Sequence, residues 1–238
     1  MSISHLTVRT SPSRPFLYLL TILCFLAPRV VSTQEPLSPT LSSISTTTRE
    51  HWMRRAVAAL TELSSPCPYA AFGTAIVNHT ANPAGDLICI GANAVHTTGN
   101  PTLHGEIAGI ANCTAVLTDP EGPYALQPSE LAAAWKQLTL YTTGEPCPMC
   151  ATAIRWARFK ECVYATSIDR LIELGWEQLR ISSREVFDRS GLLGTETALI
   201  GGVLANETDA LFGWQAIEDG KCPSGCERPA AGGVCRPL

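Results

Sequence analysis

"LTLYTTGEPCPMCATAIRWARFKECVYAT", residues 138–166, decides the fold. Its first part, "LTLYTT" (138–143), is short, apolar and rich in β-branched and aromatic residues, which predicts a buried strand. "PCPMCATAIRWARF" (146–159) predicts a helix, and "ECVYAT" (161–166) predicts a second strand. A strand, a helix and a strand in close succession form a crossover, so the two strands pair in parallel.

Upstream, "AFGTAIV" (71–77) and "DLICIGANAV" (86–95) flank the turn-rich "NHTANPAG", which predicts an antiparallel pair. "HTTGNPT" (96–102) is a loop leading to a helix from about His104 towards Val116, and "SELAAAW" predicts a short helix before residue 138. In "REHWMRRAVAALTEL", Trp52, Ala56, Val57, Leu60 and Leu63 recur at helical spacing until "SSPCP" ends the run. The alternation predicts an α/β domain with helices on both faces of the sheet, and no internal repeat is present.

The ends differ in composition. Arg9 and Arg14 precede the uncharged "PFLYLLTILCFLAP" and the small residues of "VVSTQ". That is the layout of a secretory signal over residues 1–32. The apolar run from Phe16 to Ala27 is shorter than the ~20 residues of a spanning helix, so no membrane span is expected once the signal is removed. Residues 33–48, rich in Ser, Thr and Pro, read as a linker, 49–217 as the folded domain, and 218–238 as a cysteine-bearing tail.

Without Arg9, Arg14 and Arg29, the 17 Lys and Arg fall to 14 against 21 Asp and Glu, a formal charge of −7. This disfavours a nucleic-acid groove, which depends on clustered cations; "MRR" (53–55) and "RWARFK" (155–160) read as solvated helix faces. Three sequons, at Asn78, Asn112 and Asn206, agree with a secretory route as glycosylation sites, while proline excludes Asn100-Pro-Thr.

The chemistry lies in two segments. "TLHGEI" (102–107) places His104 and Glu106 one residue apart, and "EPCPMC" (145–150) places Cys147 and Cys150 three apart at a helix start. Together they give the H-x-E … P-C-x-x-C pattern of zinc-dependent nucleobase and nucleoside deaminases. Two sulfurs on the first turn of one helix, with the positive end of its dipole beneath them, favour thiolate and metal binding. His104 supplies a third ligand, and the fourth tetrahedral position stays open for water, as in a catalytic zinc site. Two thiolates cancel the charge of Zn²⁺ and weaken its effect on water, so a neighbouring base is useful; Glu106 is assigned as the proton shuttle. A C-x-x-C alone also suits a structural zinc half-site or a redox pair, although a redox pair does not call for His104 and Glu106.

The stretch from Phe72 to Tyr164, through "NPTLHGEI" and "LYTTGEPCPMCATAI", resembles the cytidine deaminase-like superfamily, in the branch of guanine deaminases, fungal cytosine deaminases and tRNA adenosine deaminases. The resemblance implies a three-layer α/β/α sandwich around a five-stranded mixed sheet, a homodimer or higher oligomer, zinc on His104, Cys147 and Cys150, proton transfer by Glu106, and base recognition by Asn93. An amide suits a base edge because it both donates and accepts, although an asparagine after a strand is also a turn-former. Asp169 falls near the place of an acidic residue that guanine deaminases use, and equally reads as a helix cap. Trp156 offers a stacking ring or a core residue. "TLHGEI" leans towards the cytosine enzymes, whereas "EPCPMC" with "WAR" leans towards guanine. The expectation is a secreted hydrolytic deaminase of a small-molecule base or nucleoside, guanine or a similar purine first and cytosine second. RNA editing and a non-catalytic zinc-stabilised module are the alternatives.

Ten cysteines complete the reading. Cys24 leaves with the signal and two hold zinc, which leaves Cys67, Cys89, Cys113, Cys162, Cys222, Cys226 and Cys235: at most three disulfides and one free thiol. The tail trio is expected to form disulfides within itself or to Cys67. Cys89 and Cys162 read as buried thiols in strands.

Overall fold

The computed structural model describes residues 44–215, 220–230 and 232–238. The expected signal at 1–32 and most of the expected linker at 33–48 lie outside the described residues. The domain begins earlier than expected: helix α1 runs Thr46–Leu63, with the Ser45 hydroxyl accepting from the Thr48 amide at 3.0 Å. An N-cap serine satisfies one of the amides that a helix start leaves unpaired, which is why the last three threonines of the Ser/Thr run are helical.

Strands β1 (Gly73–Asn78) and β2 (Asp86–Ala92) pair antiparallel, as predicted, and β1 also pairs antiparallel with β3 (Leu138–Gly144). Parallel pairing then carries the sheet through β4 (Glu161–Thr166) to β5 (Ala198–Ile200). The order β2-β1-β3-β4-β5 is the expected five-stranded mixed sheet.

The period of two in the strands separates the layers. Ala75, Val77, Tyr141, Val163 and Ala165 pack with Trp52, Met53 and Ala56 of α1. Ile76, Leu140 and Cys162 face the other way, towards Cys113 and Leu117 of α3 (Gly105–Thr118) and Ala151 and Ile154 of α5 (Pro148–Ala157). Strand β3 is buried at every position, as a central strand covered on both faces must be. The remaining helices are α2 (Val95–Thr98), α4 (Leu131–Trp135), α6 (Ile168–Glu173), α7 (Ser183–Arg189) and α8 (Ala205–Gly213). Among the described residues, no helix is long and apolar enough to cross a membrane.

Among the described residues, three disulfides and one free thiol beside the C-x-x-C pair match the expected arithmetic: Cys67–Cys226, Cys89–Cys113 and Cys222–Cys235, with Cys162 buried and free. Cys89 is therefore no buried thiol; it ties β2 to α3. The tail folds on Cys222–Cys235 and a small hairpin of β6 (Cys226–Glu227) and β7 (Arg236–Pro237).

The expectation that "RWARFK" is solvated fails at Arg155, which is buried. Its guanidinium donates to Ser190 Oγ at 2.6 Å, Thr197 Oγ1 at 2.7 Å and the Thr195 carbonyl at 2.5 Å. The loop that leads to β5 is thereby fastened to α5. In "MRR", Met53 is core, while Arg54 and Arg55 pair with Glu207 and Glu62 at the surface.

Candidate active site and metal centre

Two helix starts converge. His104 is the N-cap of α3 and Cys147 the N-cap of α5, with Pro148 in the first turn where its missing N–H costs nothing. Both positive helix ends therefore point at the same place. Glu106 lies in the first turn of α3 and Cys150 in the first turn of α5, both buried.

Close packing through glycine makes this possible. A Cβ on Gly105 would stand 2.2 Å from the Phe72 carbonyl oxygen, and one on Gly91 of β2 would stand 2.4 Å from the Gly109 nitrogen. The glycine between His104 and Glu106 thus lets the start of α3 rest on the backbone entering β1.

The ligating atoms of His104, Cys147 and Cys150 all lie within 4.8 Å of one another. Cys147 Sγ is 3.6 Å from His104 Nδ1. A tetrahedron with Zn–S of about 2.3 Å and Zn–N of about 2.0 Å has an S···N edge of about 3.5 Å, so this sulfur and nitrogen stand close to the separation zinc imposes. One nitrogen and two sulfurs also suit zinc chemically.

Electrostatics agree. The Cys150 side chain hydrogen-bonds Cys147 and His104 reinforces it, holding the Cys147 thiol down at about 4, while Cys150, left holding the proton, is pushed up. The hydrogen bond to Cys147 raises His104. Burial raises Glu106, and the Cys147 charge adds to it. The Thr142 hydroxyl of β3 donates to Glu106 Oε1 at 3.2 Å.

Around this group, the Phe72 ring faces the His104 imidazole nearly in parallel, with centroids 6.5 Å apart and planes 16° apart. Behind it, Phe72 packs on Phe212 at 5.0 Å and Trp176 at 5.7 Å. Asn93 follows β2; its backbone N–H donates to the Phe72 carbonyl and its side-chain oxygen accepts from Val95 N at 3.2 Å. The turn-forming geometry is present, and the amide NH₂ is the group left for another partner.

Glu145, not singled out by the sequence reading, fixes the loop that enters Cys147. One carboxylate oxygen accepts from Ser183 N and Oγ, both at 2.8 Å, and the other from Ile168 N at 2.9 Å. A single buried carboxylate thus joins the starts of α6 and α7.

Two sequence candidates do not join the cluster. Trp156 is 66% exposed, at the opposite end of α5 from Cys147, so it belongs neither to the core nor to this group. Asp169 is exposed in the first turn of α6, whose cap is Ser167 through its hydroxyl and Arg170 N at 3.1 Å. Of the sequons, Asn78 ends β1 and accepts from Thr80, Asn112 is exposed on α3 and donates to the Ile90 carbonyl, and Asn206 is exposed on α8.

The model of the cytidine and deoxycytidylate deaminase zinc-binding region matches residues 46–166. Guanine deaminase of Bacillus subtilis (strain 168) is 34% identical over 128 residues, covering 54% of this chain and 70% of the relative. A structure of guanine deaminase from Bacillus subtilis is 31% identical, covers 54% of this chain and 71% of that one, and gives a TM-score of 0.42. A mutant of NE0047 in complex with 8-azaguanine is similar in fold, with 19% identity, coverage of 68% and 81%, and a TM-score of 0.50.

Proposed function

Because this chain belongs to the cytidine and deoxycytidylate deaminase zinc-binding family and is a hydrolytic deaminase that holds zinc, we propose that it removes the exocyclic amine of guanine or a closely similar purine. The observation that carries this reading is the preset triad of His104, Cys147 and Cys150 with buried Glu106 beside it. The likeness to the Bacillus guanine deaminase supports guanine over cytosine.

His104, Cys147 and Cys150 would hold the metal, which when bound supplies a Lewis acid that acidifies water. Glu106 carries the protons. It takes one from the attacking water and gives it to the ring nitrogen next to the amine-bearing carbon. It then passes the water's second proton to the amine, which leaves as ammonia while the carbon becomes a carbonyl. A carboxylate raised by burial is suited to both acts. Thr142 holds the carboxylate in line from below. Phe72 gives the base a flat apolar face, and Asn93 offers its free NH₂ to the base edge.

Secretion is part of the proposal. Three disulfides suit an oxidising compartment, and Asn78, Asn112 and Asn206 are the glycan acceptors it would use. A homodimer is the expected assembly, covering the exposed Met149 and Trp156 of α5.

The test is ammonia release by the purified, zinc-loaded protein from guanine, cytosine, adenine and their nucleosides, with Glu106→Gln as control. Release from guanine, lost in the variant, is expected; release from cytosine alone overturns the purine reading, and none from any substrate overturns the enzyme.

A further inference from the structure

We infer that Tyr69 is the specificity-determining residue at the outer edge of this site, held there by the C-terminal tail. It favours free bases over their nucleosides by bulk; the inference rests on the base-deaminase reading above.

Tyr69 lies three residues before Phe72, on the segment between α1 and β1, and is 49% exposed. Its ring meets two others, one next to the Asn93 turn and one packed on Phe72. The first is His96 of α2, just beyond Asn93, at 5.3 Å; the second is Trp176, at 5.8 Å, which packs edge-on against Phe72. The tyrosine therefore bridges α2, which follows Asn93, and the loop after α6.

An aromatic ring so exposed defines an edge only if its backbone is fixed, and the residues after α8 together with the tail fix it from several directions. Cys67, two residues earlier, is joined to Cys226. Gln215 Nε2 donates to the Tyr69 carbonyl at 2.7 Å, and Trp214 meets the Tyr69 ring edge-on at 6.4 Å. Arg228 ties this end back by donating to the Trp214 carbonyl at 2.9 Å. Trp176 is anchored to the same segment through its indole N–H to the Phe212 carbonyl at 2.9 Å.

Flat rings stack on a base, whereas a rigid ring at the outer edge collides with a ribose. A pocket discriminates by steric fit over roughly ten- to 200-fold, which is the range expected of one aromatic edge.

The experiment compares wild type, Tyr69→Ala, Tyr69→Phe and the Cys67→Ser/Cys226→Ser pair. It measures kcat/KM for guanine, guanosine and guanosine monophosphate, with zinc content and melting temperature recorded for each. Wild type should prefer guanine. Tyr69→Ala should shift the guanosine-to-guanine ratio upward by about tenfold, mostly in KM, Tyr69→Phe should keep the wild-type ratio, and the cysteine pair should move it as Tyr69→Ala does with zinc unchanged. An unchanged ratio in a folded, zinc-loaded Tyr69→Ala protein overturns the inference, as does a wild type that prefers the nucleoside or its phosphate.

Calorimetric binding of the same three compounds to zinc-loaded Glu106→Gln, with and without Tyr69→Ala, separates this idea from the activity. If wild type turns over nothing, the deaminase reading falls, and the binding ratio still decides the role of Tyr69. If guanine binds neither protein, the inference falls too.

Discussion

Glu106 and Thr142 form the smallest unit whose removal is informative. Glu106→Gln keeps the shape and loses the proton carrier, so ammonia release should fall by about 10²–10⁴-fold while metal analysis still finds zinc. Thr142→Val removes the one hydroxyl donated to that carboxylate. A hydrogen bond to a charged group is worth about 1.5–3 kcal/mol, so kcat should drop by at least about tenfold with KM little changed, and Thr142→Ser should recover most of it. His79 makes a prediction about pH. It is buried, with Nε2 3.0 Å from the Tyr141 hydroxyl and Nδ1 3.2 Å from the Pro83 carbonyl. Burial lowers its pKa, against a partial rise from the Pro83 contact. The unfolded chain therefore binds more protons, and the contribution is present above about pH 6.5 and lost as pH falls towards the folded value. Denaturation midpoints between pH 8 and pH 5 should fall less steeply for His79→Gln than for wild type.

At the scale of elements, the seat of α3 on the sheet is the sensitive joint. Adding a methyl at Gly91 forces β2 and α3 apart where backbone meets backbone; overpacking of this kind costs about 1–3 kcal/mol. Since α3 begins with His104 and Glu106, Gly91→Ala should lower both the melting temperature and the zinc affinity, read by calorimetry and by chelator competition. The same elements show what the sequence made legible. Strands β1 to β4 and helices α1, α3 and α5 each carry their own apolar period or turn signals, and the zinc triad lies at predicted helix starts. Strand β5 is three residues long and is placed by Arg155, whose partners Ser190, Thr195 and Thr197 lie 35 to 42 residues away, a distance at which no local pattern speaks. Helix α8 was hidden for a similar reason: Phe212 packs on Phe72 across the whole domain. Glu145 had no signal beyond its place before Pro146 and Cys147, because its partners Ile168 and Ser183 come from two later helices.

The molecule as a whole is closed by its disulfides. Cys67–Cys226 joins residues 159 apart, linking the end of α1 to the tail. A native disulfide typically contributes about 2–4 kcal/mol, so reduction should lower the melting temperature, a shift that calorimetry with and without dithiothreitol measures. Pairing six cysteines and burying Cys162 has a practical corollary. Among the described residues of the native, oxidised domain, the sulfur open to a bulky alkylating reagent is Cys147, and only while it carries no metal. Counting modified sulfhydryls per chain by intact mass thus becomes a stoichiometric gauge of zinc vacancy, usable on any preparation before a substrate is known.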